Sequence, residues 1–504
     1  MKYIQFDSIF SQGRWITPGI VELDASGRIV RVTSDTALLS HCPPAAQHGL
    51  QHLEEHADTT SAKQTLHDLP RQPRPERPIE RIPGWAIPGF CNGHSHAFQY
   101  AMTGITEHRP QAAALDDFWS WRETMYQVAL AMDPDELEDT AAMLYGEMLR
   151  YGYTSVVEFH YLHHDQQGKT YQHPAEMSLR LMAAAKQSGI RLILVPVLYQ
   201  KGGFQTPPTQ RQRRFIFKEI DAYFALLEDC KKAVIHAKDA DISLGLGVHS
   251  LRAVDPEMVL KVFSHAFAGP RHMHLAEQRK EVDACKHILG VSPTRWVLDQ
   301  LHIDDRTFLT YSTHSTREEV RELAGRQGNV VLCPSTEGNL GDGFFPLVDF
   351  LTREASKSGG FLLGSDSHMG LSPLEELRWL DYTQRLRLEK RNPLCQADGD
   401  DSARVLFDAL ARGRRGCGDP NDLAPGDLLD CVVVQPDHPI FCGKPEERRL
   451  SVLFYCGDPT VYQGVMRRGR WLVVHGRHVR HNTLTAAYAR AQVRLAQKVN
   501  LVFT

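Results

Sequence analysis

Between residues 84 and 368, short apolar runs rich in β-branched residues alternate with longer stretches whose apolar residues recur at helical spacing. The eight apolar runs span residues 84–90, 153–160, 191–199, 242–250, 271–277, 306–314, 328–336 and 361–368. Near-continuous apolar strands separated by helices predict a parallel sheet that is covered on both faces. Eight such units favour an α/β fold of the closed (β/α)8, TIM-type class over an open, doubly wound sheet.

Strand-like patterns also flank this region. Residues 1–35 contain short alternating runs that predict hairpins, and similar runs return after about residue 420, followed by a helical pattern. We expect the early and late strands to form a small β-sandwich domain beside the barrel. The predicted segments are an N-terminal β segment at 1–83, the barrel at 84–419, and a C-terminal β segment with a terminal helix at 420–504.

Residues 36–80 depart from both patterns. They are rich in His, Gln, Pro, Arg and Glu and contain few large apolar side chains. Such a stretch cannot bury enough apolar surface to offset the entropy of ordering it. The sequence therefore predicts a loop or flexible insertion here.

Composition narrows the class of protein. The chain has 504 residues with 57 Lys and Arg against 61 Asp and Glu, so its net charge of −4 argues against a nucleic-acid partner. Its ten cysteines contain no CxxC pair, which argues against a disulfide framework. We see no signal peptide and no apolar run long enough to cross a membrane. A cytoplasmic protein without membrane contact is expected.

Polar groups that bind metals or carry protons follow nearly every predicted strand. Active sites of (β/α)8 barrels form at the carboxyl ends of the strands, where these groups would meet. The groups are His94 and His96 after the first strand, Glu158, His160 and Tyr161 after the second, His249 and Arg252 after the fourth, His274 and Glu277 after the fifth, Tyr311 and His314 after the sixth, and Asp366 and His368 after the eighth.

His94 and His96 lie two residues apart, so on an extended backbone both imidazoles face the same way and can reach one cation. The motif alone is weak, because a second one occurs at 272–274. Its weight comes from the set: this pair, a third histidine and an aspartate, each at a strand end. Three nitrogens and one carboxylate suit zinc and tolerate iron or manganese.

Two acids at the strand ends, Asp366 and Glu277, could instead have an ordinary structural role. Asp366 ends an apolar strand, and it could cap the following helix, although Ser372 before Pro373 is a better cap. Glu277 could be a surface acid that opens a helix. Beside a water molecule activated by a metal it would instead shuttle protons to a leaving group.

These residues lie in segments that resemble the amidohydrolase superfamily and, within it, the formimidoylglutamate deiminases of histidine degradation. The superfamily shares the paired histidines, whereas EFHYLHHD and STEGNLGDG are typical of the deiminases. The resemblance implies hydrolysis of N-formimino-L-glutamate to N-formyl-L-glutamate and ammonia, and it implies a homodimer. The matching segments include 88–108, 116–126, 153–165, 247–254, 274–283, 333–347 and 364–387.

The resemblance also implies roles by position. Glu277 would be the general acid/base, Asp366 would accept a proton from water, and Arg122 and Arg252 would each hold one carboxylate of a small dicarboxylate amidine. Arg122 could instead make a cation–π or structural contact in its aromatic surroundings. The implied metal ligands are His94, His96, His274 and Asp366, and the implied substrate contacts are Gln99, Arg122, Tyr161, His249 and Arg252.

The sixth strand departs from the family. Where the deiminases carry His-Ala-Thr-His, this chain reads Tyr311-Ser312-Thr313-His314. A tyrosine, with an ordinary pKa near 10, is a poor base at neutral pH. Either His314 takes the catalytic role, or Tyr311 suffices, or activity is reduced.

Two other functions stay open at this point. One is a metal-dependent hydrolase of another amidine or an aminated heterocycle, against which the paired arginines argue. The other is a non-catalytic descendant with a structural metal, which would not need Glu277.

Overall fold

A computed structural model of the chain describes residues 1–39, 79–107, 118–351 and 359–499. Its strands are β1 (Lys2–Ser11), β2 (Arg14–Ile16), β3 (Gly19–Leu23), β4 (Ile29–Thr33), β5 (Ile79–Pro88), β6 (Phe90–Ser95), β7 (Tyr153–His160), β8 (Arg191–Leu198), β9 (Ile242–Leu244), β10 (Leu246–Val248), β11 (Arg271–Leu275), β12 (Thr307–Tyr311), β13 (Asn329–Leu332), β14 (Phe361–Leu363), β15 (Cys431–Val434), β16 (Tyr462–Arg467), β17 (Arg470–Val474) and β18 (Arg477–His478). Its helices are α1 (Phe118–Ala131), α2 (Pro134–Arg150), α3 (Glu176–Ser188), α4 (Ile220–Ala237), α5 (Pro256–Ser264), α6 (Arg279–Leu289), α7 (Pro293–Gln300), α8 (Arg317–Gly325), α9 (Pro334–Leu340), α10 (Leu347–Phe350), α11 (Pro373–Leu388), α12 (Ser402–Gly416), α13 (Arg449–Cys456) and α14 (His481–Val499).

Parallel strands β6 to β14 close into a barrel, because β10 pairs with β8 as well as with β11. β9 and β10 are two parts of one strand that is interrupted at Gly245, so the barrel counts eight strands. A Cβ at Gly245 would lie 2.8 Å from the carbonyl oxygen of Pro270, and only glycine allows that approach. The predicted (β/α)8 barrel is confirmed.

Local sequence explains why these elements form. Every residue of β7 is buried, as expected for a barrel strand with one face toward the barrel interior and the other toward the surrounding helices. The helix before it, α2, begins with a capping box: the Asp133 carboxylate accepts a hydrogen bond from the Glu136 amide, and the Glu136 carboxylate accepts one from the Asp133 amide. Pro134 occupies the first helical position, where its missing N–H has no cost.

The first predicted barrel strand was misplaced. Within the run 84–90, Gly84–Pro88 belongs to β5, which pairs with β1 and β15 outside the barrel, and the first barrel strand begins at Phe90. Because the apolar run continues through both strands, its pattern does not reveal the change of sheet. The change occurs at Gly89, where a Cβ would lie 2.2 Å from the Thr154 side chain.

The remaining strands, β1 to β5 and β15 to β18, form one continuous nine-stranded sheet. It encloses an apolar core of its own, which includes Ile4, Phe6, Val21, Leu429 and Met466. This confirms the prediction that the N- and C-terminal strands join beside the barrel, and they do so in one sheet. β15 lies antiparallel to β5, so the chain enters and leaves the barrel through neighbouring strands.

The predicted insertion at 36–80 falls mostly outside the described residues. Of the predicted insertion at 36–80, residues 40–78 lie outside the described residues, Thr36–Leu39 form a 3-10 turn, and β5 begins at Ile79. Among the described residues, every helix is too short or too polar to cross a lipid bilayer. The homodimer and the cytoplasmic location stay predictions.

A buried ionic cluster connects the amino-terminal ends of β7 and β8 to α12. Asp419, 1% exposed, accepts hydrogen bonds from Ser155 Oγ at 2.5 Å, Arg414 Nη2 at 2.7 Å and Arg191 Nη1 at 3.0 Å. Burial alone would raise the pKa of Asp419, but Arg414, Arg191 and the Ser155 hydroxyl hold it below its ordinary value. The carboxylate is therefore ionised at neutral pH and links β7, β8 and α12.

We expect Asp419→Asn to lower the free energy of unfolding by about 3 kcal/mol at pH 7, because it leaves a buried arginine without its counter-charge. A depressed folded-state pKa stabilises above the ordinary pKa and is lost as pH falls through the lowered value. The deficit should therefore shrink below about pH 4. Urea unfolding across pH measures it. The matched control is Asp408→Asn in the exposed Arg404 pair of α12, which should change little; an equal loss in both variants would contradict the assignment.

Candidate active site

Three histidines and one aspartate converge at the carboxyl ends of β6, β11 and β14. His94 Nε2 lies 3.1 Å from His96 Nε2 and 2.9 Å from His274 Nε2. Asp366 Oδ1 lies 3.3 Å from His96 Nε2 and 3.5 Å from His94 Nε2. All four side chains are buried. The spacing of these four donor atoms is that of a single small site.

This donor set fits a divalent cation. His96 Nδ1 donates to the carbonyl oxygen of Phe159 at 2.9 Å, which leaves the lone pair on Nε2 facing the other nitrogens. Burial lowers the pKa of His96 to about 4 and that of His94 and His274 well below the ordinary value, so the imidazoles are neutral. Converging lone pairs beside a carboxylate repel one another unless a cation lies between them.

A hydrogen-bond network holds the first and last barrel strands together beneath the ligands. Asn92 Nδ2 donates to Ser365 Oγ at 2.7 Å, and Ser365 Oγ lies 2.9 Å from His368 Nδ1. His368 Nε2 in turn donates to the carbonyl oxygen of His96 at 3.1 Å. Sequence reasoning noted His368 at a strand end but gave it no role. Asn92 was missed, although it lies only two residues before His94.

Glu158 supports the other side of the paired histidines. Its carboxylate accepts from Ser95 Oγ at 2.6 Å, the Ala97 amide at 2.7 Å and Tyr145 OH at 3.1 Å. Burial raises the pKa of Glu158 to about 7, and these hydrogen bonds oppose the rise. The strand-end pattern found Glu158, but only the fold reveals that it braces the backbone around His96.

Left-handed backbone is concentrated at these strand ends. Ala276, Tyr311, Ser312, Asp366 and His368 have φ between 43° and 71° without being glycine. Such conformations are costly for residues with a side chain and persist only where the surroundings enforce them. They redirect side chains at the ends of β11, β12 and β14. Asp366 is not a helix cap, because Ser372 accepts from the Glu375 amide at 3.3 Å and caps α11, as predicted.

A cavity opens above the histidines. It is lined by the residues predicted as metal ligands, catalytic groups or substrate contacts, with two exceptions. His94 lies beneath the cavity, and His314 lies outside it. Aromatic side chains from α1 and the loops after β7 and β8 complete its wall. The predicted residues that line it are His96, Gln99, Arg122, Tyr161, His249, Arg252, His274, Glu277 and Asp366, together with Tyr311.

At the sixth strand, Tyr311 and not His314 faces the site. Tyr311 OH donates to Asp366 Oδ2 at 2.9 Å. His314 does not line the cavity; it is half-buried, and its side chain bonds the backbone of Asp342. The expectation that His314 acts in the site is therefore not supported by its position. The physical reason is that the left-handed turn at Tyr311 and Ser312 directs the following residues away from the barrel axis.

The cavity wall contains two carboxyl groups and two guanidinium groups. Burial raises the pKa of Asp366 to about 7, against the hydrogen bond from Tyr311. Burial also raises the pKa of Glu277 to about 8, with Arg252 opposing and Glu281 adding to the rise. Arg252 and Arg122 supply positive charge, and the Arg122 guanidinium lies 5.4 Å from the ring centre of Tyr126. The cation–π contact considered for Arg122 is thus present, and the same side chain also lines the cavity.

Several known proteins are similar to this chain in sequence. Residues 85–401 match a family model described as Amidohydrolase family. The formimidoylglutamate deiminase of Pseudomonas aeruginosa is 43% identical over 417 residues, which are 82% of this chain and 89% of that protein. The 8-oxoguanine deaminase of the same organism is 26% identical over 77% of this chain and 82% of its own length.

Solved structures share the fold. A crystal structure of an amidohydrolase from Brucella melitensis is 33% identical with a TM-score of 0.82, covering 98% of this chain and 100% of that one. An adenosine deaminase from Xanthomonas campestris, crystallised with bound zinc, has a TM-score of 0.74 at 19% identity, covering 99% and 98%. The second likeness is one of fold alone.

We expect His274→Ala to lose most of the divalent metal that the parent chain retains after dialysis, because one of three nitrogen donors is removed. The matched control is His272→Leu in the same strand. His272 is buried and stacks on Phe308 with ring centres 4.7 Å apart, outside the donor cluster. Its loss should leave the metal content unchanged. Metal per chain is measured by atomic emission, and equal retention by both variants would contradict the site.

Proposed function

The chain belongs to the amidohydrolase family, and we propose that it is a formimidoylglutamate deiminase, which hydrolyses N-formimino-L-glutamate to N-formyl-L-glutamate and ammonia. The observation that carries the proposal is one cavity that joins the donor cluster of three histidines and Asp366 to two arginines. The identity to the Pseudomonas aeruginosa deiminase supports the same substrate. The reaction is a step of histidine degradation.

We assign His94, His96, His274 and Asp366 as the ligands of one divalent cation. Zinc is our first assignment and iron the alternative, since three imidazoles and a carboxylate accept both. A cation held there would supply Lewis acidity and lower the pKa of water. Support for the assignment is the convergence of neutral imidazole nitrogens within 3.1 Å of His94 Nε2.

Two carboxyl groups can move the protons that the reaction requires. Water loses a proton as it attacks the formimino carbon, and the nitrogen must gain one before it leaves as ammonia. Asp366 can accept the first proton while Tyr311 holds its Oδ2 in place. Glu277 can deliver a proton to the nitrogen, which is supported by its burial and its pKa of about 8. In this assignment Tyr311 orients Asp366 and is not itself the base.

The two arginines suit the two carboxylates of the substrate. Arg252 lies beyond β10 and Arg122 on α1, so they approach the cavity from different elements. Gln99, whose Nε2 donates to Tyr161 OH at 3.0 Å, and His249 would complete the contacts. Gln99 Oε1 is buried with no hydrogen-bond partner among the described residues, and it can accept from the formimino nitrogen. Paired arginines argue against a purine, the substrate named for the 26% identical relative.

We expect protein replete with metal to release ammonia from N-formimino-L-glutamate with N-formyl-L-glutamate as co-product. Chelation should abolish release, and restored metal should recover it, because the donor cluster would then refill. Ammonia is assayed by a coupled enzyme and formylglutamate by mass spectrometry. No release with metal bound would contradict the proposal, and Tyr311→His would then tell a lost activity from a different substrate.

We expect Glu277→Gln to reduce kcat by about 10²- to 10⁴-fold with metal content unchanged, since a neutral amide cannot transfer the proton. Steady-state kinetics and metal analysis measure the two quantities. The matched control is Asp283→Asn, an acid on the exposed face of α6, which should keep the kcat of the parent. Unchanged turnover in the glutamine variant would remove Glu277 from the mechanism.

A further inference from the structure

Tyr126 shares its helix face with one of the two cavity arginines. It lies on α1 one helical turn after Arg122, so the two side chains project to the same side. Both line the cavity, and the ring of Tyr126 lies against the Arg122 guanidinium at 5.4 Å. Tyr126 is 3% exposed. The sequence gives no signal for it beyond its place in an aromatic stretch.

The hydroxyl of Tyr126 differs from the other tyrosine hydroxyls around it. It is buried and makes no hydrogen bond of normal geometry among the described residues, although the Tyr199 hydroxyl lies close enough to act on it. Buried tyrosine hydroxyls normally find a partner, and leaving one unsatisfied is unfavourable. The neighbouring hydroxyls each have one: Tyr161 accepts from Gln99 at 3.0 Å, Tyr199 accepts from Gln212 at 2.8 Å, and Tyr311 donates to Asp366 at 2.9 Å.

The surroundings of this hydroxyl favour an anionic partner. The positive charges of Arg122 and Arg252 both act on it. Burial, assisted by Tyr199, raises the pKa of Tyr126 against these charges, so the group keeps its proton and is a donor at neutral pH. An O–H donor beside the Arg122 guanidinium, on which the charge of Arg252 also acts, matches a carboxylate, which only accepts hydrogen bonds.

We propose that the Tyr126 hydroxyl is a further substrate-binding group, which donates a hydrogen bond to the substrate carboxylate that Arg122 holds. The inference rests on the proposed function for the identity of the substrate, and it needs only a dicarboxylate ligand for its own test. It assigns to Tyr126 selectivity for the carboxylate end and no part in the chemistry at the formimino carbon.

The test is Tyr126→Phe, which removes one oxygen and keeps the ring. KM for N-formimino-L-glutamate should rise about 10- to 100-fold, because a hydrogen bond to a charged group is lost, while kcat stays within about twofold. The thermal midpoint should change little, because among the described residues the hydroxyl makes no hydrogen bond of normal geometry that the substitution would remove. The matched control is Tyr223→Phe, whose buried hydroxyl donates to the carbonyl oxygen of Pro196 at 3.1 Å. That variant should lower the thermal midpoint and leave KM unchanged.

Calorimetry with glutarate, a five-carbon dicarboxylate, separates this inference from the proposed function. Weaker glutarate binding by Tyr126→Phe than by the parent supports the inference even if the parent hydrolyses no N-formimino-L-glutamate, in which case the proposed function alone fails. Equal glutarate binding by the variant and the parent would overturn it and leave the hydroxyl a site for water. A lower thermal midpoint with unchanged KM would also overturn it, because the hydroxyl would then be structural. A parent that does not bind glutarate would overturn it as well.

Discussion

Closure of the barrel brings three imidazole nitrogens and one carboxylate oxygen together at the buried floor of the cavity. His94 Nε2 has two other histidine nitrogens within 3.1 Å, and burial keeps all three rings neutral. Converging lone pairs of neutral rings repel one another at this distance, and burial leaves these rings little contact with solvent. The arrangement is therefore favourable only with a cation at its centre, and the surrounding structure serves to hold these donors in register.

The means of holding them differ at the two ends of the barrel. At the carboxyl ends, the Asn92–Ser365–His368 network and Glu158 brace the ligand backbone, and left-handed residues turn Tyr311 and Asp366 inward. At the opposite end, the ionised Asp419 joins two barrel strands to α12 through three strong hydrogen bonds. Left-handed backbone thus shapes the end that carries the chemistry, and the ionic cluster stabilises the other end.

The cavity is polarised in the sense that its proposed substrate requires. Asp366 and Glu277, whose pKa values are raised by burial, lie beside the histidines, and the guanidinium groups of Arg122 and Arg252 would face the two substrate carboxylates. Tyr311 fits this division, because a phenol that donates to Asp366 Oδ2 orients the proton acceptor without competing with it for the proton. A tyrosine at this position is thereby compatible with the deiminase chemistry.

Local pattern determined much of this protein. Strand–helix alternation indicated the barrel, the two-residue spacing of His94 and His96 indicated a shared face, and Asp366 appeared as an acid at the end of an apolar strand, because each of these signals depends on residues close in the chain. Tertiary structure decided the rest. The passage from one sheet to another at Gly89 lies inside a single apolar run, and the roles of His272 and His274 differ although both have the same local spacing. His314 lies outside the cavity, and Tyr126 lines it beside Arg122, because the left-handed turn after β12 and the packing of α1 over the cavity depend on contacts far apart in sequence.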